Sequence, residues 1–331
     1  SCATGNGWDF HEAMASAYME LVERIPMCDF PFAGIPRRKL RVDPFPPHLL
    51  PQFYNWAATP EKKKKAVRTG GYVLATDIMS GDNIAVPKVA VTAAYSGSDG
   101  NSSGNSLREA ILYGIYELVE RDTNQVHLLD AGCRRNKPRF LVANDSIRDG
   151  RFRRLMKQFE DKGCRLMLFS LPNVYGLSCV TTHVYDLNRE IQCHGSSAVR
   201  SDFTAAAYAA LHEAYMQYIT YFAGTRDDYV SHFDSREARI GHINARSALF
   251  DLRGSPAPDP AARLFGSIGA ELGHVLNRLA SAGIRHVIVA DTSPLNRFVI
   301  KSVKVIIPGM ELWFCDDYRP SPFVAGKARA T

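Results

Sequence analysis

The alternation of apolar and polar positions along the chain predicts helices and strands that follow one another in mixed order. Apolar residues spaced three and four apart predict helices at 9–24, 106–123, 147–162, 203–221 and 265–282. Runs rich in β-branched and other apolar residues predict strands at 71–77, 85–95, 165–171, 178–186, 285–290 and 298–307. Because these elements are interleaved rather than segregated, the predicted fold class is α/β, in the mixed α+β sense.

Two of the predicted helices begin with a capping signal. Asp9 precedes Glu12 by three residues, and Ser106 precedes Glu109 by the same spacing, as in a capping box. The first helix is expected to stop by Pro26, since proline lacks the backbone donor that a helix interior needs.

Three segments interrupt the helices and strands. Residues 26–70 are rich in proline and basic side chains and predict an irregular insertion or a small subdomain. Residues 97–106, which read GSDGNSSGNS, and the polar residues 224–260 predict loops. We expect one catalytic domain over 1–331 and, because the sequence starts abruptly at Ser1, a missing N-terminal segment.

Composition and charge narrow the class of protein. Of the 331 residues, 46% are hydrophobic and 22% are charged, which is typical of a globular protein. No apolar run reaches the ~18 residues of a membrane span, so we expect no membrane contact. The net charge of +6 is assigned to solvated loops and helix faces, and without nucleic-acid-binding motifs we expect no nucleic acid partner. Seven scattered cysteines without a C-x-x-C pair fit reduced thiols and predict a cytoplasmic protein.

One acidic helix pattern occurs twice. Residues 12–24 read EAMASAYMELVER, and residues 109–121 read EAILYGIYELVER. At about 100° per residue, one face of the first helix carries Ser16, Glu20, Glu23 and Arg24, and one face of the second carries Glu109, Tyr113, Glu117, Glu120 and Arg121. A third helix resembles them more loosely, with Glu213 in the place of the first ELVER glutamate and Gln217 in the place of the arginine.

Two interpretations of this pattern compete. In the first, the acidic and basic side chains form ordinary surface ion pairs, each worth about 0.2–0.5 kcal/mol. In the second, carboxyl groups on helices with apolar flanks surround a divalent cation, which offsets the cost of burying them. Magnesium suits this arrangement because it uses few protein carboxylates and completes its shell with water and phosphates. We therefore predict magnesium ligands at Glu20, Glu23, Glu117 and Glu120.

Phosphate groups bound to such a metal need cationic and backbone donors. Arg24, Arg121 and Arg200 are predicted to contact them, because guanidinium groups donate in pairs to phosphate oxygens. The loop at 102–106 presents backbone amides ahead of a helix N-terminus, which favours anions. No G-K-[ST] sequence is present, so the site is not a P-loop. No side chain is assigned as a catalytic nucleophile or base.

The ordered motifs resemble those of the YcaO family, whose members use ATP to modify peptide backbones. The matching segments are 5–24, 98–122, 204–217 and 303–311. The resemblance implies a YcaO-like fold, with mixed sheets and acidic helices lining a nucleotide site, and ATP and magnesium as cofactors. It implies nucleotide contacts by Ser16, Asn105 and Arg121. Glu20, Glu23, Glu109, Glu117 and Glu120 would bind magnesium or support its ligands, and Arg200, Glu213 and Gln217 would complete the pocket.

The family resemblance also implies a reaction, in which a backbone amide oxygen of a ribosomally made peptide is phosphorylated before a nucleophile adds. Thioamide formation with external sulfide and a TfuA-like partner protein is favoured, because residues 318–330 resemble the end of that branch. Azoline or amidine formation remains an alternative. A second is a catalytically degenerate nucleotide-binding subunit, because Asn6 stands where many members have lysine. We also expect a homodimer, because several helices are apolar.

Overall fold

The computed structural model describes residues 5, 7, 9–28, 34–56, 58–92, 97–129, 140–188, 191–223, 247, 250–258, 265–293, 299–312, 319–324, 326 and 327. Asn6, most of the segment at 224–260, and residues 318, 325 and 328–330 of the segment at 318–330 lie outside these residues.

The described residues form seven α-helices and nine strands. The helices are α1 (Phe10–Cys28), α2 (Pro51–Tyr54), α3 (Pro60–Gly70), α4 (Leu107–Leu129), α5 (Gly150–Glu160), α6 (Phe203–Ala223) and α7 (Ile268–Ser281). The strands are β1 (Tyr72–Asp77), β2 (Asp82–Pro87), β3 (Asn101–Gly104), β4 (Leu141–Val142), β5 (Cys164–Leu171), β6 (Ser178–Asp186), β7 (Ile191–Arg200), β8 (Ile288–Asp291) and β9 (Lys301–Ile306). No helix in these parts of the chain is long and apolar enough to cross a membrane.

The strands form two antiparallel sheets. The first has the order β2-β1-β8-β9-β3, and the second has the order β4-β5-β6-β7. Strands that are far apart in the sequence therefore pair in the first sheet. Strand β9 pairs with β3, which places Lys304 opposite Asn101. This pairing places the end of the domain beside the loop that precedes α4.

Helix α4 lies between the two sheets. Its apolar residues, such as Ile111 and Ile115, share one core with Val305 of the first sheet and Phe169 of the second. Gly114 makes this close approach to β9 possible, because a Cβ there would lie 2.7 Å from Cγ2 of Val305. The acidic face of α4 is thus held by packing on both sides.

The other faces of the two sheets are covered by separate layers. Helices α5 and α6 pack on the second sheet, where residues such as Leu168 and Val180 alternate with those that face α4. The segment around α2 and α3 packs on the first sheet through Phe53, Trp56 and Ala66. Each sheet therefore has elements packed on both faces.

Helix boundaries differ from the prediction where tertiary contacts override the local signal. Helix α1 continues to Cys28, because a proline in the last turn removes only its own backbone donor. Helix α4 continues to Leu129 through polar residues that find partners, including His127, whose ring contacts the carbonyl of Pro172 at 2.8 Å. The lysine run predicted to be irregular forms α3, which Thr59 caps by accepting from the amide of Lys62.

Strand predictions also needed correction. The strand predicted at 85–95 starts at Asp82 and ends at Pro87 in β2. The loop predicted at 97–106 contributes the short strand β3, and β7 was missed because much of its sequence is small and polar. Pairing with neighbouring strands, rather than local hydrophobicity, forms these two strands.

Candidate functional site

Arg121 on α4 is the centre of an acidic cluster. Its guanidinium lies 3.1 Å from Oδ1 of Asp99, 3.4 Å from Oε1 of Glu117 and 3.1 Å from Oε1 of Glu120. Three carboxyl groups thus share one cation, and their combined charge raises the pKa of Arg121 against the opposing effect of burial. Glu117 and Glu120 share a helix face with Arg121 because they precede it by four residues and by one.

The loop before α4 fixes Glu117. The amide of Gly100 donates to its Oε2 at 3.0 Å. Gly100 has a φ of 78°, and a Cβ at this position would lie 2.2 Å from the carbonyl oxygen of Val305. Only glycine therefore fits where the loop touches β9 and presents its amide to the carboxylate.

Helix α1 contributes the second glutamate pair to the same cluster. The hydroxyl of Ser103 on β3 donates to the carbonyl of Met19 at 3.0 Å, which holds α1 against the first sheet. Glu23 lies near Glu117 and Glu20, and burial, followed by these two negative charges, raises its pKa well above the ordinary value. Glu20 forms an ion pair with Arg24 one turn later on the same helix.

The carboxyl groups of α4 are strongly perturbed. Burial raises the pKa of Glu117 to about 7, although Arg121 opposes the shift. Burial also raises the pKa of Glu120 to about 8, again against Arg121, with Glu213 and Glu117 adding to the increase. Buried carboxylates that repel one another are stabilised either by protonation or by a bound cation.

Lys304 and Asp99 belong to the cluster although the sequence analysis did not select them. Lys304 is fully buried on β9, near Asp99, Glu117 and Glu23. Burial lowers its pKa to about 8, while the three carboxylates act in the opposite direction. The sequence did contain a signal for this site, because a lysine stands within the apolar run of β9 and a buried ammonium requires acidic partners.

Glu213 on α6 and Arg200 at the end of β7 extend the cluster. Glu213 lies near Arg121, Arg200 and Glu20. Burial raises the pKa of Glu213, although the two arginines oppose the shift. The guanidinium of Arg200 lies 5.2 Å from the ring centre of Tyr113 and 5.5 Å from that of Tyr116, both on α4. Three helices, strand β9 and the end of β7 thus meet here.

A cavity of about 440 Å³ opens beside these charges. Glu120, Arg200 and Glu213 line it, together with Ser197 and small alanines. Tyr208 and His212 of α6 form one wall, with ring centres 4.5 Å apart in a stacked arrangement. His212, which directly precedes Glu213 in the predicted helix, therefore faces the cavity, and no role was predicted for it.

Four predicted residues lie outside the ion-pair cluster. Nε2 of Gln217 donates to Ser196 at 2.9 Å, and its buried Oε1 has no hydrogen-bond partner among the described residues. Glu109 accepts from the amide of Asn105 at 2.9 Å, so these two residues cap α4. Ser16 lies half-buried on α1, one turn before Glu20.

The donor set is suited to a metal-bound polyphosphate. In the part of the chain that the structure describes, no three His, Cys, Asp or Glu side chains are arranged to hold a metal ion alone. Magnesium commonly takes one or two carboxylates and completes its octahedron with water and substrate phosphates. Pairs of glutamates beside arginines match that need, and the orphaned Oε1 of Gln217 requires a donor from a ligand or water.

Comparison with known proteins identifies the family of the chain. A family model described as "YcaO cyclodehydratase, ATP- and Mg2+-binding" matches residues 4–311. A protein from Rhizobium leguminosarum bv. trifolii, described as lying in the tfuA 3′ region, is 28% identical over 261 residues, covering 73% of this chain and 61% of that protein. The Mycobacterium tuberculosis protein Rv1375 is 26% identical over 194 residues, covering 55% and 42%. The chain therefore spans less than two thirds of both relatives.

Solved structures share the fold. A YcaO protein from Methanopyrus kandleri, bound with AMPPCP and Mg2+, superposes with a TM-score of 0.71 at 21% identity, covering 96% of this chain and 82% of that one. A heterocyclase in complex with substrate and cofactor gives a TM-score of 0.70 at 19% identity, covering 94% and 45%. The E. coli microcin synthetase McbBCD complex with pro-MccB17 gives 0.64 at 16%, covering 93% and 81%. The predicted fold class is confirmed.

Proposed function

Because this chain belongs to the YcaO family, we propose that it uses ATP and magnesium to activate a backbone amide of a ribosomally made peptide or protein. The observation that carries the proposal is the convergence of Glu117, Glu120 and Glu213 around Arg121, with Glu23 of a third helix beside Glu117. Such a set of desolvated acids, interspersed with arginines, has the charge pattern that a magnesium-bound triphosphate complements.

The chain's own residues divide into two roles in this proposal. Glu20, Glu23, Glu117 and Glu120 hold magnesium, while Arg121 and Arg200 turn their donors toward phosphate oxygens. When bound, ATP with magnesium would supply the phosphoryl group for the amide oxygen, which makes the amide carbon more electrophilic toward the incoming nucleophile.

The remaining predicted residues surround the cavity. Gln217 offers its unpaired amide oxygen, and the stacked rings of Tyr208 and His212 form an aromatic wall for the flat part of the nucleotide. Ser16, Asn105 and Glu109 complete the site at the start of α4 and on α1, in keeping with the family resemblance.

Thioamide formation with external sulfide is the preferred outcome. It is supported by the Rhizobium relative, which is encoded beside tfuA, and by the predicted likeness of residues 318–330 to the same branch. The proposal includes a TfuA-like partner for sulfur delivery. It also includes a homodimer, for which α1 offers an exposed apolar stripe of Phe10, Met14 and Tyr18 at four-residue spacing.

Turnover of the purified protein tests the proposal. Protein, ATP, magnesium, sulfide, a TfuA-like protein and candidate peptides are combined, and peptide mass and ADP are followed. Exchange of one oxygen for sulfur supports thioamide formation, and loss of one water instead supports azoline formation. The double variant Glu117→Gln with Glu120→Gln is expected to lose activity about 100-fold or more. The matched control is Glu160→Gln, at an exposed glutamate on α5.

A full rate in the double variant overturns the metal assignment. The degenerate-subunit alternative replaces the proposal if two results are found together. The wild-type protein binds ATP but modifies no peptide, whichever partner protein is supplied, and the partner protein modifies the peptide without the wild-type protein.

A further inference from the structure

A second, larger concave surface lies away from the glutamate cluster. It encloses about 1130 Å³ and shares no lining residue with the first cavity. Its walls come from α3, from residues 36–48 before it and from residues 319–322 near the end of the chain. We call it the basic groove. At this volume it exceeds the ~300–1,000 Å³ of ordinary small-molecule pockets, which indicates a longer occupant.

Within the described part of the chain, the basic groove carries positive charge without acidic partners. Its cationic lining residues are Arg37, Arg38, Lys63, Lys64, Arg68 and Arg319. Among the described residues, no Asp or Glu lines the groove, and every salt bridge between them lies elsewhere. Five of these cations are exposed to solvent, and Lys63 is half-buried; the exposed ones are Arg37, Arg38, Lys64, Arg68 and Arg319.

Two of the cations are held close to one another. Nζ of Lys63 donates to the carbonyl of Phe53 at 2.6 Å, which fixes the ammonium at the wall of the groove. Partial burial and then the charge of Arg319 lower the pKa of Lys63. An anion placed between the two side chains relieves this repulsion.

Apolar walls separate the charges. Seven prolines line the basic groove, together with Phe53, Tyr54 and Tyr72. Prolines have no backbone N–H, so these stretches offer few of the backbone donors that phosphate groups use. They provide flat apolar surface for side chains instead. Alternating cationic and apolar patches fit a chain in which carboxylates alternate with apolar residues.

We propose that the basic groove binds an acidic, extended segment of the peptide substrate, outside the segment that is modified. The proposal rests on the proposed function for the existence of a peptide substrate, and it adds the class of sequence that the substrate carries. The groove is tied to the reaction site through its own wall: Nδ2 of Asn55, next to Tyr54, donates to Glu311 at 2.7 Å, and the amide of Glu311 donates to Asp122 at 2.7 Å. Asp122 directly follows Arg121, so a bound segment is held at a fixed position relative to the cluster.

Peptide binding by the full chain tests this inference. The probe is a fluorescent peptide with alternating glutamate and leucine, compared with the same peptide carrying glutamine, and binding is measured by fluorescence anisotropy at several salt concentrations. We expect the acidic probe to bind at least about tenfold more tightly, with an affinity that falls as salt increases. Lys64→Glu with Arg68→Glu, both exposed on α3, is expected to weaken binding by about tenfold or more.

The controls separate this inference from the proposed function. Arg151→Glu with Arg154→Glu changes the same charge on exposed positions of α5 and is expected to leave binding unchanged. Glu117→Gln with Glu120→Gln is expected to abolish ATP turnover but keep peptide binding, so each proposal can fail alone. Equal binding of the glutamine peptide, an equal loss in the α5 control, or tighter binding of a single-stranded oligonucleotide overturns the acidic-peptide assignment.

Discussion

Nε of Arg121 lies 3.1 Å from Oδ1 of Asp99, which joins the end of the ELVER helix pattern to the loop that precedes the helix. Because Asp99 is buried and takes the Nε edge of the guanidinium, it sets the direction in which the arginine's other donors point. Asp99 is therefore a positioning residue for Arg121.

Replacing Asp99 by asparagine is expected to weaken binding of a non-hydrolysable ATP analogue with magnesium about tenfold, since Arg121 then loses its charged anchor. Calorimetric titration measures the affinity. Asp145→Asn, at an exposed aspartate, serves as the control. An unchanged affinity in Asp99→Asn contradicts the positioning role.

Nucleotide and magnesium binding should strengthen as pH rises. Burial raises the pKa of Glu117 to about 7 and that of Glu120 to about 8, so both carboxyl groups carry protons near neutrality before a ligand arrives. Magnesium requires the ionised form, so binding releases these protons and affinity increases between about pH 6 and about pH 9. Titration calorimetry in two buffers with different heats of ionisation measures the released protons. A pH-independent affinity without proton release argues against these two ligands.

Lys304 should set the pH range over which the affinity for nucleotide and magnesium increases. Its ammonium lowers the pKa of both Glu23 and Glu117, so Lys304→Met removes a charge that keeps them ionised. The affinity profile of the variant is expected to move to higher pH, by up to about one unit. Lys301→Met, on the same strand, is the control. A profile that stays in place while overall affinity drops indicates that Lys304 acts only in packing.

The two glycines at positions 100 and 81 provide a matched test of backbone geometry. Both have positive φ, 78° at Gly100 and 84° at Gly81, but only at Gly100 does an added Cβ meet another atom, the carbonyl oxygen of Val305 at 2.2 Å. Gly81→Ala is expected to cost about 1 kcal/mol of unfolding free energy from the backbone alone. Gly100→Ala is expected to cost about 2–4 kcal/mol and to reduce nucleotide binding as well, because the donor to Glu117 moves. Urea unfolding measures both free energies, and an equal loss in Gly81→Ala and Gly100→Ala would contradict a special role of Gly100.

Glu311 should act as a structural anchor rather than a ligand. It is fully buried and accepts from Nδ2 of Asn55 at 2.7 Å and from the amide of Ser321 at 3.2 Å. Glu311→Ala removes the buried acceptor that these two donors share and is expected to lower the unfolding free energy by about 2–4 kcal/mol. Urea unfolding measures the loss, and proteolysis after residues 319–324 reports release of that segment. Glu160→Ala should change stability by less than about 0.5 kcal/mol.

Much of the site could be predicted because helical periodicity converts sequence spacing into a shared face. Glu117, Glu120 and Arg121 lie together for that reason, and their flanking apolar residues required that the face be enclosed. The capping predictions for Asp9 and Ser106 are confirmed: Asp9 accepts from the amide of Glu12 at 2.9 Å and Ser106 from that of Glu109 at 3.2 Å.

The rest depends on pairings that no local pattern contains. Asp99 and Lys304 are far apart in the sequence and become neighbours only because β9 pairs with β3. The wall of the basic groove similarly depends on Asn55 meeting Glu311. Long-range antiparallel pairing sets these contacts, whereas propensity and periodicity report only on local structure.

If the proposed function holds, the sharing of Arg121 by three carboxylates lets the site recognise two ligands together. We expect the ionised carboxylates to repel a triphosphate that arrives without its metal, and Arg121 to compete with a metal that arrives without the triphosphate for those same carboxylates. In the proposed function both ligands arrive together, and the ion pairs are exchanged: carboxylates turn to the metal and guanidinium groups to the phosphates. We therefore expect the site to respond to the combination of nucleotide and metal rather than to either one.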